Sequence, residues 1–129
     1  MPRISAPTIH EHVARQEDAV ISAATRLFAE RGFADVTMAD IATEVGLART
    51  SLYRYFPDKD HILVVWLRRE IDSLVEHSTA IARSRRPATA RLRRWLSLQL
   101  DYLLDPEHQL FTRIASTVGT LSPEVVAAI

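Results

Sequence analysis

The segment "GLARTSLYRYF", residues 46–56, concentrates side chains that can form hydrogen bonds with charged or polar partners. It contains two arginines, two tyrosines and two small hydroxyl residues. An arginine guanidinium can pair with guanine through two hydrogen bonds, and hydroxyl groups can bond to base edges or to phosphates. A tyrosine hydroxyl can donate to phosphate while its ring packs on the protein. Displayed together on one helical face, these side chains predict a surface that reads double-stranded DNA.

Helical geometry divides this segment into a buried and an exposed face. At about 100° per residue, Leu52 and Phe56 fall on the same side and are expected in the core. A recognition helix enters the major groove with its N-terminal residues deepest, so the start of this helix is expected to contact bases. The alternative for Arg54 is an ordinary surface arginine, because arginine supplies every basic residue of the chain except Lys59. The candidate base or groove contacts are Arg49, Thr50, Ser51 and Arg54.

The elements that would position these side chains are three helices separated by glycine turns. A first apolar stripe with helical spacing ends at Gly32, and a second runs from Thr37 to the turn at Gly46. The Thr37 hydroxyl and the Asp40 carboxylate are spaced to form a capping box. Pro57 ends the third helix. Two short helices at a glycine turn, preceded by a supporting helix, predict a helix-turn-helix. The stripe residues are Val20, Ile21, Ala24, Leu27, Phe28, Met38, Ile41, Ala42 and Val45.

Two helix starts supply candidate phosphate sites beside the recognition helix. Thr37 begins the second helix, and Asp58 caps a long fourth helix that begins at Lys59. The free N–H groups and the dipole at a helix N-terminus favour a bound anion. Thr37 and Lys59 are therefore expected to hold the phosphates that flank the recognised bases.

The second half of the chain is also predicted to be helical. The sequence "ARSRRP" at 82–87 is a linker between the fourth helix and a fifth. The fifth is apolar on more than one side after Trp95, which predicts a central helix covered by several others. A cap at Asp105 followed by proline starts a sixth helix that runs to about Val118, and Ser122 starts another. The stripe of the fourth helix is Leu63, Trp66, Leu67, Ile71, Leu74, Val75 and Ile81.

Aromatic and polar side chains in this half are candidates for a small-molecule effector pocket. Gln99 shares a helical stripe with Trp95 and Tyr102, where a polar group needs a partner such as another side chain, water or a ligand. The alternative is that the aromatic residues form core, as large apolar side chains at helical spacing usually do. The candidate pocket residues are Trp66, Trp95, Gln99, Tyr102 and Phe111.

Composition and charge argue against several other classes of protein. The 129-residue chain has zero formal net charge and no cysteine. It has no apolar run of the roughly 18 residues that a membrane helix needs, so we expect no membrane partner and a cytoplasmic location. Apart from His10 and His12, the histidines lack metal-ligand spacing, and there is no phosphate-binding glycine loop or nucleophile motif. We expect no catalytic residue, no metal and no cofactor.

The sequence "TMADIATEVGLARTSLYRYFPDKDHIL", residues 37–63, resembles the DNA-binding domain of TetR-family (TetR/AcrR-like) regulators. The preceding "AVISAATRLFAERGF", residues 19–33, is similar to the first helix of that domain. The resemblance implies a helical regulatory domain that binds a small-molecule effector and dimerises on a palindromic operator. It implies base or groove contacts from Arg49, Thr50 and Ser51. It implies phosphate contacts from Thr37, Tyr53, Tyr55 and Lys59.

Two residues and the chain length depart from the family pattern. Ala48 stands where a serine often caps the recognition helix, so we expect this cap to be weaker or supplied otherwise. Thr50 stands where glycine is common, which alters how closely the backbone approaches the groove. Family members are usually longer, and the helix that starts at Ser122 is cut short, so we expect a truncated chain without the usual dimer interface.

The sequence thus predicts an all-α fold in two parts. Residues 1–58 are expected to form a three-helix helix-turn-helix domain with an N-terminal arm. Residues 59–129, entered through the long fourth helix, are expected to form an incomplete helical bundle for effector binding and dimerisation. The expected function is sequence-specific DNA binding by a transcriptional regulator, a repressor released by its effector, with a homodimer expected for the complete protein. The alternative is a helical protein–protein interaction module without DNA-binding activity.

Overall fold

The computed structural model describes residues 6–116, 119 and 121–127, and these ranges contain helices and no strand. The predicted all-α class is confirmed. In chain order the helices are α1 (Ala6–Arg31), α2 (Met38–Val45), α3 (Arg49–Tyr55), α4 (Lys59–Arg83), α5 (Ala88–Leu104), α6 (Pro106–Ala115) and α7 (Pro123–Ala127).

Helix α1 is longer than the apolar stripe that predicts it. The sequence predicts an N-terminal arm ahead of Val20, whereas the structure extends α1 back to Ala6. Pro7 does not interrupt this helix, because the first turn has no intrahelical use for the N–H group that proline lacks. Residues 1–5 lie outside the described part of the chain.

The first of two compact units extends to Trp66 and contains α1, α2, α3 and the first two turns of α4. The stripes predicted for α1 and α2 are confirmed as its core, except that Val45 is only half-buried. This unit extends beyond residue 58, the predicted end of the DNA-binding domain, and the first turns of α4 add buried apolar side chains to it. Those side chains are Ile62, Leu63 and Val64, of which the predicted stripe contains only Leu63.

The second unit begins at Leu67 and contains the rest of α4 together with α5, α6 and α7. The predicted linker lies between α4 and α5, and the predicted last helix begins directly after Ser122. The sixth helix ends at Ala115 rather than near Val118, which lies outside the described residues. The described apolar side chains that are buried in this unit are Leu67, Ile114, Leu121 and Val125.

Two predictions about the packing of the second unit are wrong. The buried stripe of α4 does not continue beyond Leu67, since Ile71 is 39% and Val75 is 57% exposed. Helix α5 is not a covered central helix, because none of its residues is buried. A helix that is apolar on more than one side needs partners on more than one side, and the described helices leave much of this surface uncovered. Its exposed apolar residues are Leu92, Trp95, Leu96, Leu100, Leu103 and Leu104.

Within the described ranges, none of the helices combines the length and the apolar character that crossing a bilayer requires.

Candidate nucleic-acid interface

The start of α2 is held by the predicted capping box. The Asp40 N–H donates to the Thr37 hydroxyl oxygen at 3.2 Å, and the Thr37 N–H donates to a carboxylate oxygen of Asp40 at 2.9 Å. The hydrogen bond from the Thr37 backbone, followed by one from its side chain, lowers the pKa of the Asp40 carboxyl.

The turn between α2 and α3 depends on a glycine in the left-handed conformation. Gly46 has φ 80° and ψ 27°, and its N–H donates to the carbonyls of Ala42 and Thr43 at 2.9 and 3.2 Å. The N–H of Leu47 donates to the Ala42 carbonyl at 2.9 Å, which completes the closure of the helix end. A side chain at position 46 would meet no atom within 4 Å, so the requirement for glycine comes from the backbone alone.

Two buried residues set the rotation of α3 about its axis. Leu52 is fully buried and Phe56 is 5% exposed, as their helical spacing predicts. Phe56 is extended, with φ −139° and ψ 130°, because Pro57 follows it. With these side chains in the core, the opposite side of α3 must face outward.

The outward side of α3 carries the side chains that the sequence selects. Arg49, Thr50, Tyr53 and Arg54 are exposed, whereas Ser51 and Tyr55 are half-buried. Ala48 forms no side-chain hydrogen bond at the start of the helix, which agrees with the expectation of a weaker cap. The structure therefore brings the candidate contacts onto one helix with the required exposure, while their contact with DNA stays a prediction.

The start of α4 is capped by Asp58, as predicted, and the Asp58 carboxylate is also paired with the His61 ring, which the sequence did not predict. The His61 N–H donates to a carboxylate oxygen of Asp58 at 2.8 Å, and the His61 ring Nδ1 lies 2.6 Å from the same oxygen. Burial raises the pKa of the Asp58 carboxyl, but the hydrogen bonds from the ring and backbone of His61 outweigh it and lower that pKa overall. The three-residue spacing from a helix-capping acid was the available signal for this pair.

Lys59 has a role in the structure that the sequence did not reveal. Its Nζ donates to the backbone carbonyl of Phe33 at 2.7 Å and to that of Ala34 at 3.3 Å. The same ammonium lies 4.5 Å from the centre of the Phe33 ring. Phe33 in turn packs against Phe28 with ring centres 5.0 Å apart. The ammonium that was predicted to bind phosphate is thus directed at the loop after α1.

The predicted effector residues do not line one described cavity. Trp66 belongs to the first unit, whereas the other candidates belong to the second. Gln99 is half-buried, and Tyr102 packs its ring against His108 with centres 3.8 Å apart. The side chain of Phe111 lies outside the described residues.

Two clefts between α4 and α5 provide room for a ligand in the second unit. One has a volume of about 530 Å³ and combines arginine, histidine, serine and aspartate side chains with a few apolar ones. The other has a volume of about 480 Å³ and includes Trp95, the predicted pocket residue that lines a described cleft. The first cleft is lined by His77, Ala80, Ile81, Ser84, Arg86, Arg94, Ser97, Leu98 and Asp101.

A polar cluster around His108 connects three helices of the second unit. His108 Nε2 lies 3.2 Å from a carboxylate oxygen of Glu70 on α4. Its Nδ1 lies 3.1 Å from a carboxylate oxygen of Asp105 without forming a hydrogen bond. Burial, followed by the charge of Glu70, raises the pKa of Tyr102 on α5. The sequence did not reveal this cluster because Glu70 is far along the chain from Tyr102, Asp105 and His108.

Comparisons with known proteins agree with this geometry. The family model described as "Bacterial regulatory proteins, tetR family" matches residues 20–65, which span the core of the first unit. The HTH-type transcriptional regulator HbdR of Aromatoleum sp. (strain CIB) is 43% identical over 54 residues, which are 42% of this chain and 24% of that protein. Other curated relatives are matched over 41% to 47% of their length, so the chain spans less than half of each of these relatives.

Solved structures extend the likeness over both units of the chain. A TetR family transcription regulator from Marinobacter aquaeolei VT8 is 26% identical, with a TM-score of 0.66 over 92% of this chain and 63% of that one. A structure from Mesorhizobium loti MAFF303099 has a TM-score of 0.71 at 22% identity, over 90% of this chain and 59% of its own, and shows the shared fold. The helix-turn-helix and the family match agree, and they place residues 20–65 of this chain in the TetR family of bacterial regulatory proteins.

Proposed function

We propose that the chain is a sequence-specific DNA-binding transcriptional regulator that acts in the cytoplasm and inserts α3 into the major groove. The observation that carries this proposal is the outward face of α3, where two arginines, a tyrosine and a hydroxyl are exposed together. Burial of Leu52 and Phe56 holds that face outward. Membership of a family of regulators, rather than of enzymes, supports the same function.

Recognition of the bases and positioning of the protein on the duplex are assigned to different side chains. We assign base or groove contacts to Arg49, Thr50, Ser51 and Arg54, because the N-terminal part of a recognition helix reaches deepest into the groove. Phosphate contacts are assigned to the Thr37 hydroxyl at the start of α2 and to the hydroxyls of Tyr53 and Tyr55. Phosphate contacts fix the register of the protein on the duplex, whereas base contacts supply the sequence information.

The regulatory part of the proposal is repression that a small molecule relieves. The larger cleft between α4 and α5 falls within the usual 300–1,000 Å³ range of ligand sites and is our candidate for the effector site. Helix α4 begins in the DNA-binding unit and also lines this cleft. A ligand that shifts α4 would therefore move the part of this helix that belongs to the DNA-binding unit. In a dimer, two recognition helices must lie about 34–36 Å apart, and a ligand that favours another separation weakens binding.

The experiment that tests this function is selection of the chain on random duplex DNA, followed by affinity measurements against salt concentration. A palindromic consensus with a steep salt dependence supports a dimeric operator-binding regulator. A single half-site supports DNA reading and places dimerisation in sequence outside this chain. Absence of binding at low salt contradicts the proposal.

The alternative is a helical module whose tyrosine-bearing face docks on a protein. The exposed ring of Tyr53, at 46% exposure, is the observation that favours it. In that case Tyr53→Ala would weaken binding of the protein partner, and added duplex DNA would leave that binding unchanged. Competition of the two partners for the same face would instead show that DNA is a true ligand.

A further inference from the structure

We propose that Lys59 positions the two helix starts that flank the recognition helix and that its own charge is not a phosphate contact. This inference rests on the proposed DNA-binding function of the first unit. It assigns Lys59 an indirect role, in which the side chain acts through the loop between α1 and α2.

The electrostatics of the site explain where this ammonium is stabilised. Lys59 is the first residue of α4, and a cation at a helix N-terminus opposes the helix dipole. Its Nζ reaches the carbonyls of Phe33 and Ala34, just beyond the C-terminal end of α1, where a cation is favourable. The ring of Phe33 adds a cation–π contact at 4.5 Å. The favourable contacts of this charge are therefore those with α1 and its loop.

The donor count of the ammonium limits what it can do for DNA. A lysine ammonium has three N–H donors. Two of them are directed at the carbonyls of Phe33 and Ala34, at 2.7 and 3.3 Å. A direct phosphate contact would have to use the remaining donor or break one of these bonds, which are charge-assisted and among the stronger hydrogen bonds in proteins.

The link joins the two helix starts through a short piece of chain. Ala34 lies three residues before Thr37, and between them Val36 is almost completely buried. Attachment of Lys59 to this segment therefore fixes the start of α4 relative to the start of α2. The spacing of the two helix starts determines which pair of phosphates the unit can hold at once, so Lys59 affects binding by setting that spacing.

The test compares Lys59→Met with Lys59→Arg and with Arg68→Met as a control. Methionine keeps most of the apolar stem without the charge, arginine keeps the charge, and Arg68 is an exposed cation elsewhere on α4. The probe is a 30-base-pair duplex of random sequence, titrated at several salt concentrations. Because Lys59 is the only lysine in the sequence, ¹⁵N-lysine labelling gives one side-chain ammonium resonance to follow.

Lys59→Met is expected to weaken duplex binding about tenfold while the slope of log affinity against log salt stays unchanged. Amide exchange at Asp40 and Ile41, which bond to Thr37, should accelerate about tenfold in this variant. Lys59→Arg should restore both quantities at least in part, and Arg68→Met should change neither. The ammonium resonance should be protected from exchange with water in the free protein.

Either of two results would overturn the proposal. A slope smaller by about 0.9 in Lys59→Met would show a direct phosphate contact. An ammonium that exchanges rapidly with water, together with unaltered amide exchange at α2, would show that the link does not exist. Failure of the unaltered chain to bind any duplex would instead overturn the proposed function, and the two exchange measurements would still decide whether Lys59 holds the loop.

Discussion

Neighbouring residues of α3 differ sharply in burial. Leu52 is fully buried, whereas Tyr53 beside it is 46% exposed. The same contrast separates Phe56, at 5% exposure, from the half-buried Tyr55. At the scale of single residues, the core side chains of this helix fix the direction in which its polar side chains point. Substitutions on the two faces should therefore have separable effects on stability and on DNA binding.

Arg49→Ala is expected to relax specificity at one base position and to weaken binding to the preferred site by about 1–3 kcal/mol, because a guanidinium pairs with guanine in the groove. Binding measured on the selected site and on its single-base variants checks this. Arg68→Ala is the matched control, an exposed arginine outside α3. Equal weakening on every sequence would show that Arg49 contacts only phosphate.

Thr37→Val is expected to destabilise the chain by about 0.5–2 kcal/mol, because it removes the hydroxyl oxygen that accepts from the Asp40 N–H. Thr37→Ser keeps that oxygen and should retain most of the stability. Urea unfolding of the three proteins measures the difference. A valine variant as stable as the serine variant would show that the cap contributes little.

At the scale of secondary-structure elements, the short helices α2 and α3 are fixed mainly by the residues at which they begin and end. The capping box, the turn glycine and the extended residue before Pro57 were all readable from the sequence, because each depends on residues within four positions of one another. The link from Lys59 to Phe33 was not readable, because its partners are 26 residues apart and the acceptor is a backbone carbonyl. Nor was the pair of Asp58 with the His61 ring, since the spacing permits the contact without requiring it.

Gly46→Ala is expected to lower the free energy of unfolding by about 1–2 kcal/mol, because the left-handed conformation of this position is unfavourable by that amount for a residue with a Cβ atom. Gly119→Ala is the matched control, since that glycine does not have a positive φ. Denaturant titration of both variants gives the difference. Equal effects of the two substitutions would show that the turn adapts.

Acid should weaken the helix starts of α2 and α4 within a defined pH window. The pKa values of Asp40 and Asp58 are lowered from the ordinary 3.8, so their stabilisation is complete above that value and is lost as pH falls through the lower folded-state values. We expect the stabilisation from these two carboxylates to be lost below pH 3.8. Unfolding of Asp58→Asn, which keeps a capping oxygen without the charge, checks the assignment. An unchanged acid limb in this variant would exclude Asp58 as a contributor.

At the scale of the whole molecule, the two units differ in how completely their apolar surface is covered. The stripes of the first unit were predicted correctly, because each helix buries one face against near neighbours in the sequence. The packing of α5 was not, because periodicity shows which residues are apolar and does not show which partners cover them. The exposed leucines of α5 have this origin.

Leu96→Gln on α5 is expected to change the free energy of unfolding by no more than about 0.5 kcal/mol, because this leucine is 48% exposed. Leu52→Ala on α3 should cost about 2–5 kcal/mol, because it removes a fully buried side chain. Both values come from urea unfolding at a protein concentration low enough to avoid association. A comparable loss in the two variants would show that the α5 face is covered in solution.

The absence of a side-chain cap at Ala48 has a thermodynamic consequence for target discrimination. We expect the first turn of a seven-residue helix without a side-chain cap to unwind more readily, so that part of the entropy of ordering it is lost only when the groove is occupied. Association should then show a more negative heat-capacity change than rigid docking of the same surface. Ala48→Ser would order the turn in advance and tighten the binding of matched and mismatched duplexes alike. The uncapped helix therefore lowers absolute affinity without lowering the ratio by which the correct sequence is preferred.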